Sequence, residues 1–131
     1  MKIEQIYTKC LAQGAYYIES DGEAAVIDPL REISEYIELA KKSNSKIKYV
    51  FETHFHADFV SGHLSLAKKT GASIVYGPNA DPDFEAIIAR NNDQFKIGKI
   101  TLTAIHTPGH TLESTTYLLK DEFGKDHCIF T

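Results

Sequence analysis

The feature that most restricts the fold is a strand, helix and strand pattern in the first half of the chain. Residues 47–51 form a short apolar run, residues 64–70 have helical periodicity and stop at Gly71, and residues 72–76 form a second apolar run. Glycine in this position favours the left-handed backbone that ends a helix. A helical crossover joins parallel strands, so the pattern predicts a partly parallel sheet with a helix on one face.

Further β-structure is predicted on both sides of this unit. Two apolar runs flank Asp21-Gly22, a dipeptide that favours a two-residue hairpin turn. Apolar residues at helical spacing predict an amphipathic helix over residues 33–43, and a second short helix is predicted over residues 83–90. The strands predicted in the second half are residues 95–97, 100–105, 116–119 and 128–131.

Length and charge limit the classes of function. The chain has 131 residues, 43% of them hydrophobic, which is enough to build the core of one domain. Its 18 acidic and 14 basic residues give a net charge of −4 without a long basic run, so a nucleic-acid partner is not expected. No apolar run approaches the roughly 18 residues of a membrane-spanning helix, and the first residues lack the apolar stretch of a signal peptide. We therefore expect a cytoplasmic protein without membrane contact.

Three polar side chains with metal-binding chemistry directly follow the strand at residues 47–51. His54 and His56 are one residue apart, and Asp58 lies two residues further on. A loop that leaves the end of a buried strand is held firmly at its base, and ligands of α/β sheets bind outside strand ends. We predict that both histidines bind a metal ion and that Asp58 is a catalytic group, in preference to a solvated polar loop.

A second histidine motif follows the predicted strand at residues 100–105. Pro108 fixes one backbone angle and Gly109 permits a positive φ, so the turn can aim His110 toward a ligand supplied by another loop. Together with His54 and His56, this gives three imidazoles. Three neutral imidazoles and a water form a recurrent catalytic zinc shell, in which the metal lowers the pKa of the water to about 7.

These motifs resemble those of the metallo-β-lactamase fold superfamily. The segments that carry the resemblance are residues 25–29, 52–62 and 107–111, and their order and spacing agree across nearly the whole chain. The sequence of residues 52–62 is more similar to the persulfide dioxygenase and glyoxalase II-like branch than to the enzymes that hydrolyse antibiotics. The resemblance implies the N-terminal half of an αββα sandwich, an α/β fold with a mixed β-sheet and helices on one face, truncated at its C-terminus.

One departure from the superfamily pattern concerns the number of metal ions. Phe59 occupies the position where members with two metals have a histidine directly after the aspartate, here Asp58. A phenyl ring cannot bind a metal. The departure therefore disfavours a two-metal site, while Asp58 retains the ability to orient a water or a histidine.

The resemblance to persulfide dioxygenases implies a mononuclear Fe(II) enzyme that oxidises glutathione persulfide. Their single iron is held by residues that match His54 and His110 and by an aspartate that would follow Thr131, where this chain stops. Two histidines and one carboxylate with open positions are typical of non-haem Fe(II) oxygenases. In this interpretation His56 and Asp58 support the ligands.

Two alternatives stay open. The first is a zinc-dependent thioester hydrolase of glyoxalase II type, in which a metal hydroxide attacks the acyl carbon, and the sequence does not separate iron from zinc. The second is that this truncated chain is an inactive fragment. Its uncovered sheet face and the strand at residues 128–131 would then favour self-association, with a homodimer as the simplest arrangement.

The remaining polar residues receive simpler interpretations. Asp28 either supports the metal site from a neighbouring strand end or caps a turn. His63 is expected to cap or pack at a helix start, and His106 is expected to give structural support. We expect His127 to be solvated and Cys128 to be a packed thiol.

Overall fold

The computed structural model shows two facing β-sheets and two helices, and it describes residues 1–8, 13–54, 62–78, 80, 82, 84–109 and 114–131. The elements in chain order are β1 (Lys2–Thr8), β2 (Gln13–Ser20), β3 (Glu23–Ile27), α1 (Ser34–Lys42), β4 (Lys46–Phe51), α2 (His63–Thr70), β5 (Ser73–Tyr76), β6 (Ile87–Ile88), β7 (Gln94–Ile97), β8 (Ile100–His106), β9 (Thr115–Lys120) and β10 (Asp126–Phe130).

The first sheet is mixed, with the strand order β1-β2-β3-β4-β5-β6. Strands β1, β2 and β3 are antiparallel neighbours, whereas β3, β4, β5 and β6 run parallel to one another. The hairpin between β2 and β3 turns at Asp21 and Gly22, whose φ angles are 49° and 82°. Both residues are left-handed, as a tight hairpin turn requires. The predicted hairpin and the predicted parallel pairing are therefore confirmed.

Both helices cover one face of the first sheet. Helix α1 buries Tyr36, Leu39 and Ala40, and α2 buries Leu66. Helix α2 ends at Gly71 with φ 76°, as its sequence predicts. In the described part of the chain, neither helix is long and apolar enough to cross a membrane. The strand residues buried beneath the helices are Ala15, Tyr17, Ala24, Val26, Ile47 and Val50.

The second sheet packs against the opposite face of the first. Its order is β10-β9-β8-β7, and every pair is antiparallel. Phe51 of the first sheet lies at the centre of the interface, with ring centroids 4.9 Å from Tyr117 and 5.4 Å from Phe95. The predicted fold class, a mixed sheet with helices on one face, is confirmed.

The short helix predicted at residues 83–90 is wrong for the residues that the structure describes there. Ile87–Ile88 instead forms β6, which pairs with β5, and the N–H of Ala89 donates to the carbonyl of Tyr76 at 2.7 Å. Both isoleucines are β-branched and partly exposed. Branching at Cβ favours a strand, and the open edge of β5 offers the backbone bonds that the segment needs.

Candidate metal centre

The carboxyl ends of the central parallel strands meet at one edge of the first sheet. The register pairs Ile27 of β3 with Phe51 of β4, and Phe51 with Val75 of β5. Asp28 therefore follows β3 beside Glu52, which follows β4. This is the edge at which the sequence predicted a metal centre, because parallel α/β sheets bind ligands outside their carboxyl ends.

Asp28 holds the start of the segment that carries the predicted ligands. Its side chain is only 4% exposed, and one carboxylate oxygen accepts from the N–H of Thr53 at 2.9 Å. The other oxygen accepts from the hydroxyl of Thr53 at 2.7 Å. The N–H of Asp28 donates to the carbonyl of Phe51 at 2.8 Å. Asp28 thus bonds to the residue before His54, and its predicted support of a metal site stays a prediction.

The same contacts determine which nitrogen of His54 carries a proton. The Thr53 hydroxyl lies 2.9 Å from Nδ1 of His54. Because a carboxylate only accepts hydrogen bonds, the single hydroxyl proton goes to Asp28, and the hydroxyl oxygen accepts from Nδ1–H of His54. In a neutral imidazole the lone pair then lies on Nε2. His54 is therefore in the tautomer that binds a metal through Nε2.

Glu52 is a second buried carboxylate that the sequence analysis missed. It is fully buried, and its N–H donates to the carbonyl of Val75 at 2.9 Å. Its carbonyl accepts from the hydroxyl of Tyr117 at 2.9 Å, and Oε1 lies 3.1 Å from Nδ1 of His63. No pattern in the sequence separates this glutamate from an exposed one after a strand. Glu52 is recognised only in the folded structure, where His63 from the start of α2 lies beside it.

The sequence predicts a capping or a packing role for His63, and the residue at the N-cap of helix α2 is Gly62, which has no side chain. The ring of His63 packs instead against Phe84 at a centroid distance of 5.0 Å. The packing role predicted for His63 is confirmed.

The second sheet is attached directly to this edge. The N–H of Thr115, at the start of β9, donates to the carbonyl of Thr53 at 2.8 Å. A Cβ on Gly77 would lie 1.5 Å from Oγ1 of Thr115, so this close approach requires glycine. Burial first, and then the charges of Asp28 and Glu52, raise the pKa of Tyr117 well above its usual value. The site is thus built from both sheets.

A cavity of about 260 Å³ opens beside His54. Its wall is rich in hydroxyl groups, and Oγ1 of Thr107 lies 3.0 Å from Oγ1 of Thr116. Hydroxyl groups both donate and accept, so the cavity suits a small polar group. A larger cavity of about 500 Å³ lies between α2 and β6, and the described residues that line it do not include His54. The residues that line the smaller cavity are Thr53, His54, Thr107, Ser114, Thr115, Thr116 and Thr131.

Of the predicted site residues, the structure places only His54. His56, Asp58 and His110 lie outside the described residues, as does Phe59, and their roles stay predictions. Within the described ranges, no three His, Cys, Asp or Glu side chains form a group able to hold a metal ion.

The other polar residues behave largely as predicted. His127 is exposed, and the backbone N–H of His106 donates to the side-chain oxygen of Asn91 at 2.8 Å. Cys128 is half-buried against the core between the sheets. Burial raises the pKa of its thiol, which makes the thiol less reactive.

Comparison with known sequences identifies a family model and several relatives. The model of the metallo-beta-lactamase superfamily matches residues 9–122. The cytoplasmic hydroxyacylglutathione hydrolase of Arabidopsis thaliana is 33% identical over 136 residues, covering 100% of this chain and 52% of that protein. The cytoplasmic isozyme of Saccharomyces cerevisiae is 29% identical, covering 88% and 45%. The chain thus spans about half the length of the curated relatives it matches.

Solved structures agree with this assignment of the fold. A metallo-beta-lactamase from Staphylococcus aureus subsp. aureus COL superposes with a TM-score of 0.90 and 37% identity, covering 99% of this chain and 42% of that one. ETHE1 from Myxococcus xanthus gives a TM-score of 0.83 at 27% identity, covering 91% and 54%.

Proposed function

Because the chain belongs to the metallo-beta-lactamase superfamily, we propose that it is part of a metal-dependent enzyme that acts on a glutathione-derived thiol. The observation that carries the proposal is the hydrogen-bonded series from Asp28 through Thr53 to His54. A carboxylate that fixes the tautomer of a histidine through an intermediate group is typical of metal sites. The series supports His54 as a ligand, and the hydroxyl-lined cavity beside it supports a place for a polar substrate group.

The main reaction that we propose is the oxidation of glutathione persulfide by an enzyme with one Fe(II). His54 and His110 would hold the iron, which would supply the chemistry with dioxygen when bound. Phe59 supports a single metal, because it stands where two-metal members have a histidine. In this proposal His56 and Asp58 orient the ligands and the bound water, and Asp28 keeps the Nδ1 proton of His54 in place.

A zinc-dependent thioester hydrolase is the second candidate. It is favoured by the relative from Arabidopsis thaliana, a hydroxyacylglutathione hydrolase that matches along the whole of this chain. His54, His56 and His110 would then bind the zinc, and Asp58 would accept a proton from the attacking water. That relative is cytoplasmic by name, and we propose the same location for this chain.

Metal content and substrate distinguish the two candidate functions. The protein extended past Thr131 should be expressed in medium with iron and zinc and its metals measured. We expect iron near one atom per chain and oxygen consumption with glutathione persulfide, both lost in His54→Ala. Zinc with thioester hydrolysis, and without oxygen consumption, would favour the second candidate. Absence of both activities and of bound metal would overturn the proposal.

We also propose that this 131-residue chain forms a homodimer. Ile129 is 57% exposed on the edge strand β10, and its register partner on β9 is Leu118. An exposed apolar edge strand can pair with a second copy about a two-fold axis. Light scattering at several concentrations should give twice the monomer mass, and Ile129→Lys should restore the monomer. A monomer mass at every concentration would contradict the proposal.

A further inference from the structure

A buried pair of side chains flanks the segment that carries the predicted ligands. Glu52 directly precedes Thr53 and His54, and His63 directly follows Gly62. Oε1 of Glu52 lies 3.1 Å from Nδ1 of His63, and the exposed fractions of the two side chains are 0% and 14%. The first and last parts of the segment are therefore in contact through one interior pair.

This contact places a carboxylate in the interior, which is costly. Moving a carboxylate from water to the interior costs several kcal/mol before partners offset it. The pair does not cap α2, because Gly62 is the cap residue and no side chain bonds there. An apolar pair of similar volume would fill the same space. What the pair adds is a directional link between the two ends of the segment.

Each member of the pair is itself held. The backbone of Glu52 bonds to Val75 through its N–H and to the hydroxyl of Tyr117 through its carbonyl. The ring of His63 lies between Phe84 and Tyr76, at centroid distances of 5.0 and 6.2 Å. Because both groups are held in place, the contact between them fixes the distance between the end of β4 and the start of α2.

Gly62, at the end of the segment, also contacts the residues that follow β3. Its N–H donates to the carbonyl of Pro29 at 3.1 Å. A Cβ on Gly62 would lie 2.1 Å from the carbonyl oxygen of Leu30, so only glycine fits. Residues 28–30 thus contact both ends of the segment, with Asp28 bound to Thr53 at the other end.

We propose that Glu52 and His63 are positioning residues, which hold the end of β4 and the start of α2 together and thereby set the position of His54. This inference rests on the proposed function, since it assumes that the segment binds a metal. Supporting groups around metal ligands typically change metal affinity by 10- to 100-fold when they are removed. We expect the loss of this pair to weaken metal binding by about tenfold.

The test uses three substitutions at His63 and Leu66. His63→Phe keeps a ring against Phe84 but removes the contact with Glu52, whereas His63→Asn replaces Nδ1 with an amide donor at a similar position. Leu66→Val is the matched control, because Leu66 is fully buried on the same helix and belongs to the apolar core beneath the helices. Melting temperatures of all three report the loss of general stability.

Two measurements then separate positioning from stability. Hydrogen exchange of peptides spanning residues 53–62, in this chain without metal, should be at least tenfold faster in His63→Phe and close to wild type in His63→Asn and Leu66→Val. In the protein extended past Thr131, a titration with Co²⁺ alone should show about tenfold weaker binding and an altered cobalt absorption spectrum for His63→Phe only.

The outcomes distinguish the inference from the function on which it rests. Equal exchange of residues 53–62 in His63→Phe and Leu66→Val overturns the positioning role, whatever the metal results. Faster exchange with unchanged cobalt affinity and spectrum overturns the link to the ligands. If the extended wild-type protein binds no cobalt, the proposed function fails, while the exchange data still decide whether the pair holds the segment.

Discussion

The two ends of the sandwich are both tied across the sheets, but with opposite chemistry. At the turn end, which we define by Ser20, Glu23, Lys48, Gly98 and Lys99, the hairpin between β7 and β8 reaches the first sheet. The N–H of Gly98 donates to Glu23 at 2.7 Å, and that of Lys99 to the hydroxyl of Ser20 at 3.2 Å. The side chains of Glu23 and Lys48 form a 3.6 Å ion pair and are 36% and 39% exposed.

At the site end, defined by Asp28, Glu52, Thr53, Thr115 and Tyr117, the links are buried. Asp28 is 4% exposed and Glu52 is fully buried, and both sheets contribute bonds to the backbone of residues 52 and 53. The turn end shows that two part-buried hydrogen bonds from backbone N–H groups, with one ion pair of partly exposed side chains, suffice to tie the sheets together without a fully buried carboxylate. The buried carboxylates of the site end therefore need another reason, because their desolvation opposes folding. Under the proposed function, fixing the tautomer of His54 for a metal supplies that reason.

The largest expected difference comes from changing one carboxylate to an amide at each end. In Asp28→Asn, an NH₂ group faces the Thr53 hydroxyl, which must then accept from it and donate to His54. The proton pattern inverts, and His54 loses the lone pair on Nε2. We expect a loss of about 2 kcal/mol of stability and 10- to 100-fold of metal affinity.

The matched substitution at the turn end is Glu23→Gln, which keeps an acceptor for Gly98. It should cost less than about 1 kcal/mol and leave metal affinity unchanged. Urea denaturation and cobalt titration measure both effects, and ring ¹⁵N shifts report the tautomer of His54. Similar losses in the two variants would remove the distinction between the ends.

A smaller effect is expected where the turn end requires close backbone approach. Gly98 has φ 57°, and a Cβ there would lie 1.9 Å from the carbonyl oxygen of Ser20. Gly124 has φ 78°, and no described atom lies within 4 Å of a Cβ added there. Gly124→Ala therefore isolates the cost of the positive φ. We expect Gly98→Ala to cost about 2 kcal/mol more than this control. Equal urea midpoints would show that the hairpin shifts to admit the methyl group.

Alkaline pH should destabilise the fold through buried tyrosines, among them Tyr36, which lies close to the carboxylates of the site end. Burial is the main cause that raises the pKa of Tyr36 to about 12, and the charges of Glu35, Glu52 and Asp28 add to it. The unfolded chain ionises this phenol near its ordinary value of 10.0, before the folded protein does. The stabilising difference is therefore complete below pH 10 and is lost as the pH rises to about 12.

The check is the urea midpoint between pH 9 and 12 for the wild type and Tyr36→Phe. The variant should show a shallower decline, although it also lacks the phenolic oxygen that accepts from the N–H of Leu30. Identical slopes would contradict the assignment to Tyr36.

The smallest effect is expected for Lys48→Met at the turn end. The ammonium group lies 3.6 Å from Glu23 and 5.5 Å from the ring centre of Tyr49, and it is solvent-accessible. Exposed pairs contribute about 0.5 kcal/mol, which salt screens. Stability measured in low and high salt should differ between wild type and variant only at low salt. A loss above about 2 kcal/mol would mean that the turn end also depends on charge.

The secondary structure was predictable where local chemistry determines it. Asp21-Gly22 and Gly71 both have the left-handed backbone that their residue types favour, and the helix over residues 33–43 agrees with α1. The segment at residues 84–90 was not predictable in this way. Its pairing depends on the free edge of β5, a partner supplied by tertiary structure.

The residues of the candidate site also differ in how far the local sequence predicts them. His54 was predicted because it follows an apolar strand directly. Its supports could not be identified with confidence from spacing, since Asp28 acts on Thr53 across 25 positions and Tyr117 acts on Glu52 across 65. Local patterns reveal the ligands, whereas the groups that orient them become visible only once the two sheets are assembled.

The bond from Thr115 to the carbonyl of Thr53 has a consequence for the order in which the protein folds. During synthesis, Asp28 and Thr53 emerge well before Thr115, so the edge of the first sheet must wait for β9. Contacts between such distant residues form slowly, on a scale of about milliseconds to seconds in β-rich domains. A nascent chain therefore passes through a period in which its histidines are exposed but not yet oriented. Under the proposed function, selectivity for one metal can therefore arise only after the second sheet has docked.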